Sequence, residues 1–235
     1  MQEAELAVSS LRGRVCGTLR LNAPASFGNL HLAPALPALT AAHPDLVVEL
    51  ALTDRFVDLM EEGFDAVLRI TARPPPGAVA RRVAGMRTVL CAAPAYLDRH
   101  GAPAVPADLA RHNCLLYGPT RPVTEWRLLG PGEGEARSVV VGGSLRANNG
   151  DALHIAALAG LGVAFLPTFI VGPDLASGAL RRVLPGVEGA PSGLFLLAPP
   201  TAHETPKVSA LGDFLFRQFG PAPWEAGLAP AAPAS

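Results

Sequence analysis

Within its first 71 residues the chain carries three short apolar runs, the first two each followed by a turn and a helix-compatible stretch. In the first, Gly17–Asn22, Leu19 and Leu21 alternate with Thr18 and Arg20, which suits a strand. Pro24 then punctuates the chain, and Ser26 stands where the next helix takes its N-cap. Leu30, Leu36 and Leu39 form an apolar stripe that predicts helix over most of 27–42, kinked by Pro34 and Pro37 and ended by His43-Pro44. Leu46–Leu52 is apolar except for Glu49, as in a strand covered on both faces. Phe56–Glu62 reads as a short helix stopped by Gly63, and Asp65–Ile70 as a third strand ending at Thr71. Three strands separated by helices imply right-handed crossovers and a parallel sheet.

The stretch Gly17–Gly28 also has chemical consequences. A strand-to-helix turn leaves backbone N–H groups without helical partners at the end of a sheet, where a small anionic or polar molecule fits. Ser26 either contacts such a molecule or only caps its helix. The same arrangement recurs later. A strand ends at Asn148-Asn149, a helix covers 151–159, and the buried strand Val163–Pro167 leads to Thr168, which caps another helix.

Elsewhere, 79–84, 88–92, 114–117, 125–129, 137–141, 180–184 and 194–198 read as strands, and the sequences PAYLDRHG and PADLARHN as short helices. The glycine-rich PGEGE at 131–135 is a surface turn. Pro206–Phe219 is an amphipathic helix with Val208, Leu211, Leu215 and Phe219 on one side. Residues 1–14 resemble the end of a longer helix, and 221–235 a low-complexity mobile tail.

With 235 residues, 49% hydrophobic and 17% charged, the chain can bury a core. A net charge of −1 removes the electrostatic argument for holding DNA unaided. Lys207 is the only lysine, so the other 18 of the 19 basic residues are arginine, a bias of coding rather than of recognition. Cys16, Cys91 and Cys114 follow no CxxC spacing and read as small hydrophobes in a reducing compartment. The six histidines lack metal-ligand spacing, and no nucleophile, phosphate-loop or dinucleotide motif is present. The expectation is no metal, no cofactor and no enzyme activity. MQEAELAVSSLRGR lacks the apolar core of a signal peptide and no run is long enough to span a membrane, so a cytoplasmic location is expected.

GTLRLNAPASFG, LAPALPAL, HPDLVVEL, LTDRFVDLMEEGFDAVLRI, VARRVAGMRTVLCAAPAYL and NNGDALHIAALAGLGVAFLP occur in that order. Together, over roughly residues 14–219, they resemble the C-terminal effector-binding domain of LysR-type transcriptional regulators. The resemblance implies an α/β fold of the type 2 periplasmic-binding-protein kind, with two Rossmann-like subdomains joined by two crossover strands and a ligand in the cleft between them. Subdomain I would be 15–86 plus 194–220, and subdomain II 87–193. Residues 1–14 would be a remnant of the linker helix, and DNA would be bound only through an N-terminal domain missing from this chain.

Carried onto this sequence, the effector-binding positions are Ser26, Phe27, Thr53, Asp54, Thr71, Ala93, Asn148, Asn149, Pro167 and Thr168. Thr53 is a ligand contact or a turn residue. Asp54 caps the helix after it, and Asn149 contacts ligand or caps the helix at 151. Ala93 leaves room for ligand. Arg69 either pairs within the sheet or reaches an anionic effector. Trp126 reads as core. The effector is expected to be a small organic acid or aromatic compound. The resemblance further implies a homodimer through the helices near 27–42 and 151–159. The rival reading is a transporter's solute-binding protein, which shares the fold.

Overall fold

The structure, a computed structural model, describes residues 14–55, 57–59, 61–118, 124–131, 136–226 and 228. The expected helix end at 1–13 and the turn at 132–135 lie outside them. Strand β1 (Gly17–Ala23) enters helix α1, which runs through Ala25–Phe27, a π-helical turn at Gly28–Leu32, and Ala33–Ala42. The kink expected at the prolines is this π turn. Pro34 has no N–H to donate and its ring crowds the preceding turn, so the helix widens there, and the Ala33 N–H reaches back to the Gly28 carbonyl. The extra residue rotates the buried face, so Leu32 and Leu39 are buried while Leu30 is exposed.

Strand β2 (Leu46–Leu52) pairs parallel with β1, and so does β3 (Ala66–Thr71) on the other side. Among the described residues β2 is an edge strand with Val47 exposed, not the doubly covered strand its composition suggested. Nor do the described residues of 56–62 form a helix; they form turns. The Glu62 carboxylate accepts the Asp58 N–H at 3.1 Å and holds the Arg55 guanidinium, while Asp58 Oδ1 accepts the Glu61 N–H at 3.0 Å. Side-chain acceptors thereby replace the backbone acceptors a helix would use. Strand β4 (Val79–Met86) completes this part of the chain.

Strand β5 (Thr88–Ala92), helix α2 (Pro94–His100), a 3-10 turn at Pro106–Arg111, and strands β6 (Cys114–Tyr117), β7 (Thr124–Leu129), β8 (Arg137–Val141) and β9 (Arg146–Ala147) come next. After them come helix α3 (Gly150–Leu158), strand β10 (Val163–Pro167), helix α4 (Thr168–Ser177), and strands β11 (Arg181–Arg182) and β12 (Glu188–Gly189). Strand β13 (Ser192–Ala198) then runs antiparallel to β3, and helix α5 (Pro206–Phe219) follows with the four expected apolar residues buried. Among the described residues one sheet has the order β2-β1-β3-β13-β4 and the other β8-β7-β12-β5-β10-β6-β9, with β11 beside β5.

The chain divides into two compact units: one runs to Gly85 and resumes over Gly193–Pro221, and the other is Met86–Ser192 with the chain from Ala222 on. In the first unit Phe27 packs edge-on against Phe219 with ring centroids 5.3 Å apart, which joins α1 to α5. Lys207, at the start of α5, donates to the Thr18 carbonyl at 2.6 Å and pairs with Asp65 at 2.8 Å. In the second unit Leu90, Leu109, Cys114, Trp126 and Val163 lie in one core.

The mobile tail expected from 221 does not hold for Pro223–Glu225, which form a 3-10 turn with Trp224 buried. Cys91 and Cys114 are buried as read, whereas Cys16 is half-exposed. Burial pushes both buried thiols up to about 12. Iodoacetamide at pH 8 should therefore modify only Cys16 in the native chain and all three cysteines once the chain is unfolded, counted by mass spectrometry. Replacing fully buried Leu211 with Ala should cost about 2–5 kcal/mol in urea unfolding, because α5 cannot collapse onto the space left.

Candidate functional site

Parallel strands flanking β1 send the chain ends after β1, β2 and β3 to one edge of the first unit's sheet. Ser26, Thr53, Asp54 and Thr71 all stand on that edge. The Thr53 N–H donates to the Ala23 carbonyl at 3.0 Å, tying the loop after β2 to the end of β1. Asp54 Oδ1 accepts the Ala25 N–H at 3.0 Å. Asp54 therefore caps α1 from across the edge, not a helix of its own. The expected N-cap residue, Ser26, lies inside α1's first turn, and the cap position belongs to Pro24, which gives no side-chain bond.

Freed of capping, Ser26 is 5% exposed and its Oγ has no hydrogen-bond partner among the described residues. Asn22, near the end of β1, is fully buried: its amide N–H donates to the Ala51 carbonyl at 3.0 Å and its Oδ1 has no partner among the described residues. A buried polar atom left without a partner costs about 1–3 kcal/mol, so two of them four residues apart are a built feature. The sequence pointed to Ser26 but not to Asn22. The available signal was a lone amide within an otherwise apolar strand end.

Arg69, on β3, donates to the Arg55 carbonyl at 3.1 Å and has no carboxylate within ion-pair distance among the described residues. Burial draws its pKa down, the charge of Asp54 draws it up, and the Arg55 and Glu62 charges pull in opposite directions. The guanidinium remains charged and is partly stripped of water on the same edge as Ser26. Thr53 Oγ1 accepts the Arg55 N–H at 3.3 Å. Thr71 Oγ1 donates to the Arg73 carbonyl at 2.9 Å and closes a local turn. Phe27, next to Ser26 in the first turn of α1, is fully buried in the core.

The second unit gathers its expected residues less completely. Strand β10 is antiparallel to β5, with Pro167 opposite Thr88 and Ala164 opposite Cys91. Ala93, beyond the end of β5, thus lies at the opposite end of the sheet from Pro167 and Thr168. Asn148 and Asn149 do share the Pro167 end, because β10, β6 and β9 are mutually parallel. Asn149 Oδ1 accepts the Ala152 N–H at 3.1 Å and caps α3. Asn148 is exposed. Thr168 does not cap α4. It is fully buried, and its hydroxyl donates to Glu225 at 2.5 Å. Sequence reasoning missed Arg87 and Glu225 at this end, since a connector residue and a tail residue carry no strand-end signal.

Among the described residues no group of three or more His, Cys, Asp or Glu could hold a metal ion, and no helix is long and apolar enough to cross a membrane. The family model of the LysR substrate binding domain matches residues 12–220. The chain belongs to that family.

Among curated relatives, an uncharacterised helix-turn-helix-type transcriptional regulator of Haemophilus influenzae is 32% identical over 90% of this chain and 73% of its own length. The transcriptional regulator PtxR of Pseudomonas aeruginosa is 33% identical over 92% of this chain and 69% of its own. The activator TtdR of Escherichia coli is 36% identical over 76% of this chain and 57% of its own. Of solved structures, the full-length virulence activator AphB of Vibrio cholerae superposes with a TM-score of 0.77 at 25% identity, over 92% of this chain and 73% of AphB. The regulatory domain of CrgA from Neisseria meningitidis gives 0.77 at 23% identity, over 87% of this chain and all of that domain. These regulators favour the LysR substrate-binding reading over a transporter's solute-binding protein, and the fold is the expected α/β, periplasmic-binding-protein-like one.

Asp54→Ala should destabilise the chain by about 0.5–2 kcal/mol through loss of the α1 cap, and Asp54→Asn, which keeps an acceptor, by clearly less, measured by denaturant unfolding.

Proposed function

We propose that the chain is the effector-sensing part of a cytoplasmic LysR-type regulator, and that its effector docks at the strand-tip edge of the first unit. The observation that carries this is the buried Ser26 hydroxyl, without a hydrogen-bond partner among the described residues, at the edge where three parallel strands end. A carboxylate or carbonyl oxygen of the ligand takes the Ser26 hydroxyl and first-turn amide, a donor group meets Asn22 Oδ1, and Arg69 supplies the countercharge. A single guanidinium with no ion-pair partner among the described residues suits a small organic acid, with an aromatic body an allowed variation, better than a polyphosphate. Thr53, Asp54 and Thr71 shape the rim. On the second unit, Asn148, Asn149 and Pro167 hold the equivalent position. The chain binds its effector without converting it.

The second part of the proposal is a homodimer in which the helix spanning 27–42 of one copy meets the helix spanning 151–159 of the other. In support, Leu30 on α1 and Ile155 and Leu158 on α3 are exposed, Ile155 by 66%. Ile155→Asp should shift the chain from dimer to monomer in sedimentation velocity without lowering its unfolding midpoint. A dimer unchanged by it contradicts the interface.

The effector site is tested by a thermal-shift screen of small organic and aromatic acids. A ligand at 100 times its dissociation constant adds about 2.7 kcal/mol of stability. Ser26→Ala and Arg69→Gln should each weaken the response to any hit while leaving a cooperative unfolding transition. A response of equal size in both variants overturns the placement.

A further inference from the structure

The end of the chain holds a group that resembles a bound ligand. After α5 the chain passes at Ala222 into the second unit, and Ala222 adopts φ of +49°, a left-handed conformation that is strained for a non-glycine residue. Immediately after it, the Glu225 carboxylate uses both oxygens. Oε1 accepts the Thr168 hydroxyl at 2.5 Å, at the N-terminus of α4, and Oε2 accepts Arg87 at 2.7 Å. Trp224 is 5% exposed, with its ring edge-on to Phe169 at a centroid distance of 6.4 Å. Gly172, one turn along α4, makes room: a Cβ there would stand 2.5 Å from the Trp224 carbonyl.

Charge explains why a carboxylate is needed at this place. Arg87 donates to Glu188 through Nε at 3.1 Å and through its terminal nitrogen at 2.5 Å, and Arg182 donates to the same carboxylate at 2.8 Å. Two guanidinium groups therefore converge on the Glu188 carboxylate among side chains less than one-fifth exposed, and Glu225 brings a second carboxylate to Arg87. A backbone cleared by glycine, an aromatic wall, a buried hydroxyl and a guanidinium are the parts of a site for an aryl carboxylic acid.

We propose that Arg87, Thr168, Phe169 and Gly172 form a second binding site, for an aromatic carboxylate, which the chain fills in cis with Trp224 and Glu225. It uses other residues than the strand-tip site of the first unit, so the two stand or fall separately. When the strained segment leaves, a free aromatic acid takes its place, and a regulatory ligand gains a route that competes with the chain's own end.

The test uses the full chain carrying Trp224→Ala and Glu225→Gln, which vacates the site, with indole-3-propionate and a capped APWEAG peptide as probes. The variant should bind both saturably in calorimetry, at least about tenfold more tightly than the unaltered chain, because its site has no occupant to displace. Adding Thr168→Val should abolish both signals. No binding by the folded variant, equal affinity in the unaltered chain, or binding that survives Thr168→Val overturns the proposal. Binding of the peptide without the acid overturns the claim that free aromatic acids are taken. If the double variant unfolds, Glu225→Ala, which keeps the indole in place, is read with acetate. Its melting temperature should rise with acetate and not with chloride, and an identical response to the two salts overturns the site.

Discussion

The parallel pairing of β1 with both of its neighbours is the constraint from which the first unit follows. Leu21 opposite Leu50 and Ala66 fixes the direction of three strands at once, and direction decides where their ends emerge. Residues near 26, 54 and 69, far apart in sequence, come to a single edge for that reason alone. Two bonds then stitch the edge, Thr53 to Ala23 and Asp54 to Ala25, and they fix the first turn of α1 so that Ser26 is carried inward without a cap to make.

That placement has an energetic cost, and the two units meet it differently. In the first, Ser26 Oγ and Asn22 Oδ1 are buried without a partner among the described residues, beside an edge that also carries a partly dehydrated arginine. Such groups lower stability unless a partner arrives from outside. In the second, the corresponding charge is answered from within the chain by Glu225. Burial raises the Glu188 pKa, but the hydrogen bonds and charges of Arg87 and Arg182 outweigh it, so Glu188 titrates below the ordinary glutamate value. A lowered carboxylate pKa stabilises the fold above the unfolded value and loses that contribution as pH falls through the folded one. The Arg87 cluster therefore holds at neutral pH and weakens in acid.

Much of this was legible in the residues. The bounds of α5 followed from its apolar spacing and the proline at its start, and β2 and β10 from apolar runs with sharp ends. What failed had local chemistry or remote pairing behind it. The helix expected at 56–62 gave way to turns because Asp58 and Glu62 offer side-chain acceptors, a competition that apolar periodicity does not register. The edge position of β2 and the separation of Ala93 from Thr168 depend on which strand lies beside which, and a run of apolar residues does not encode its neighbour. Of the candidate site, Ser26 was visible as a polar residue at a strand-to-helix turn. Asn22 and Arg87 acquire meaning only from the burial that tertiary packing imposes.

The proposed function depends on a small acid being held at the strand tips of the first unit. Hydrogen–deuterium exchange of the chain, with and without an acid that binds it, reads that most directly. Slowed exchange concentrated at 22–28, 53–55 and 69–71 is the predicted result. Protection that leaves those three stretches unchanged while appearing elsewhere would contradict it.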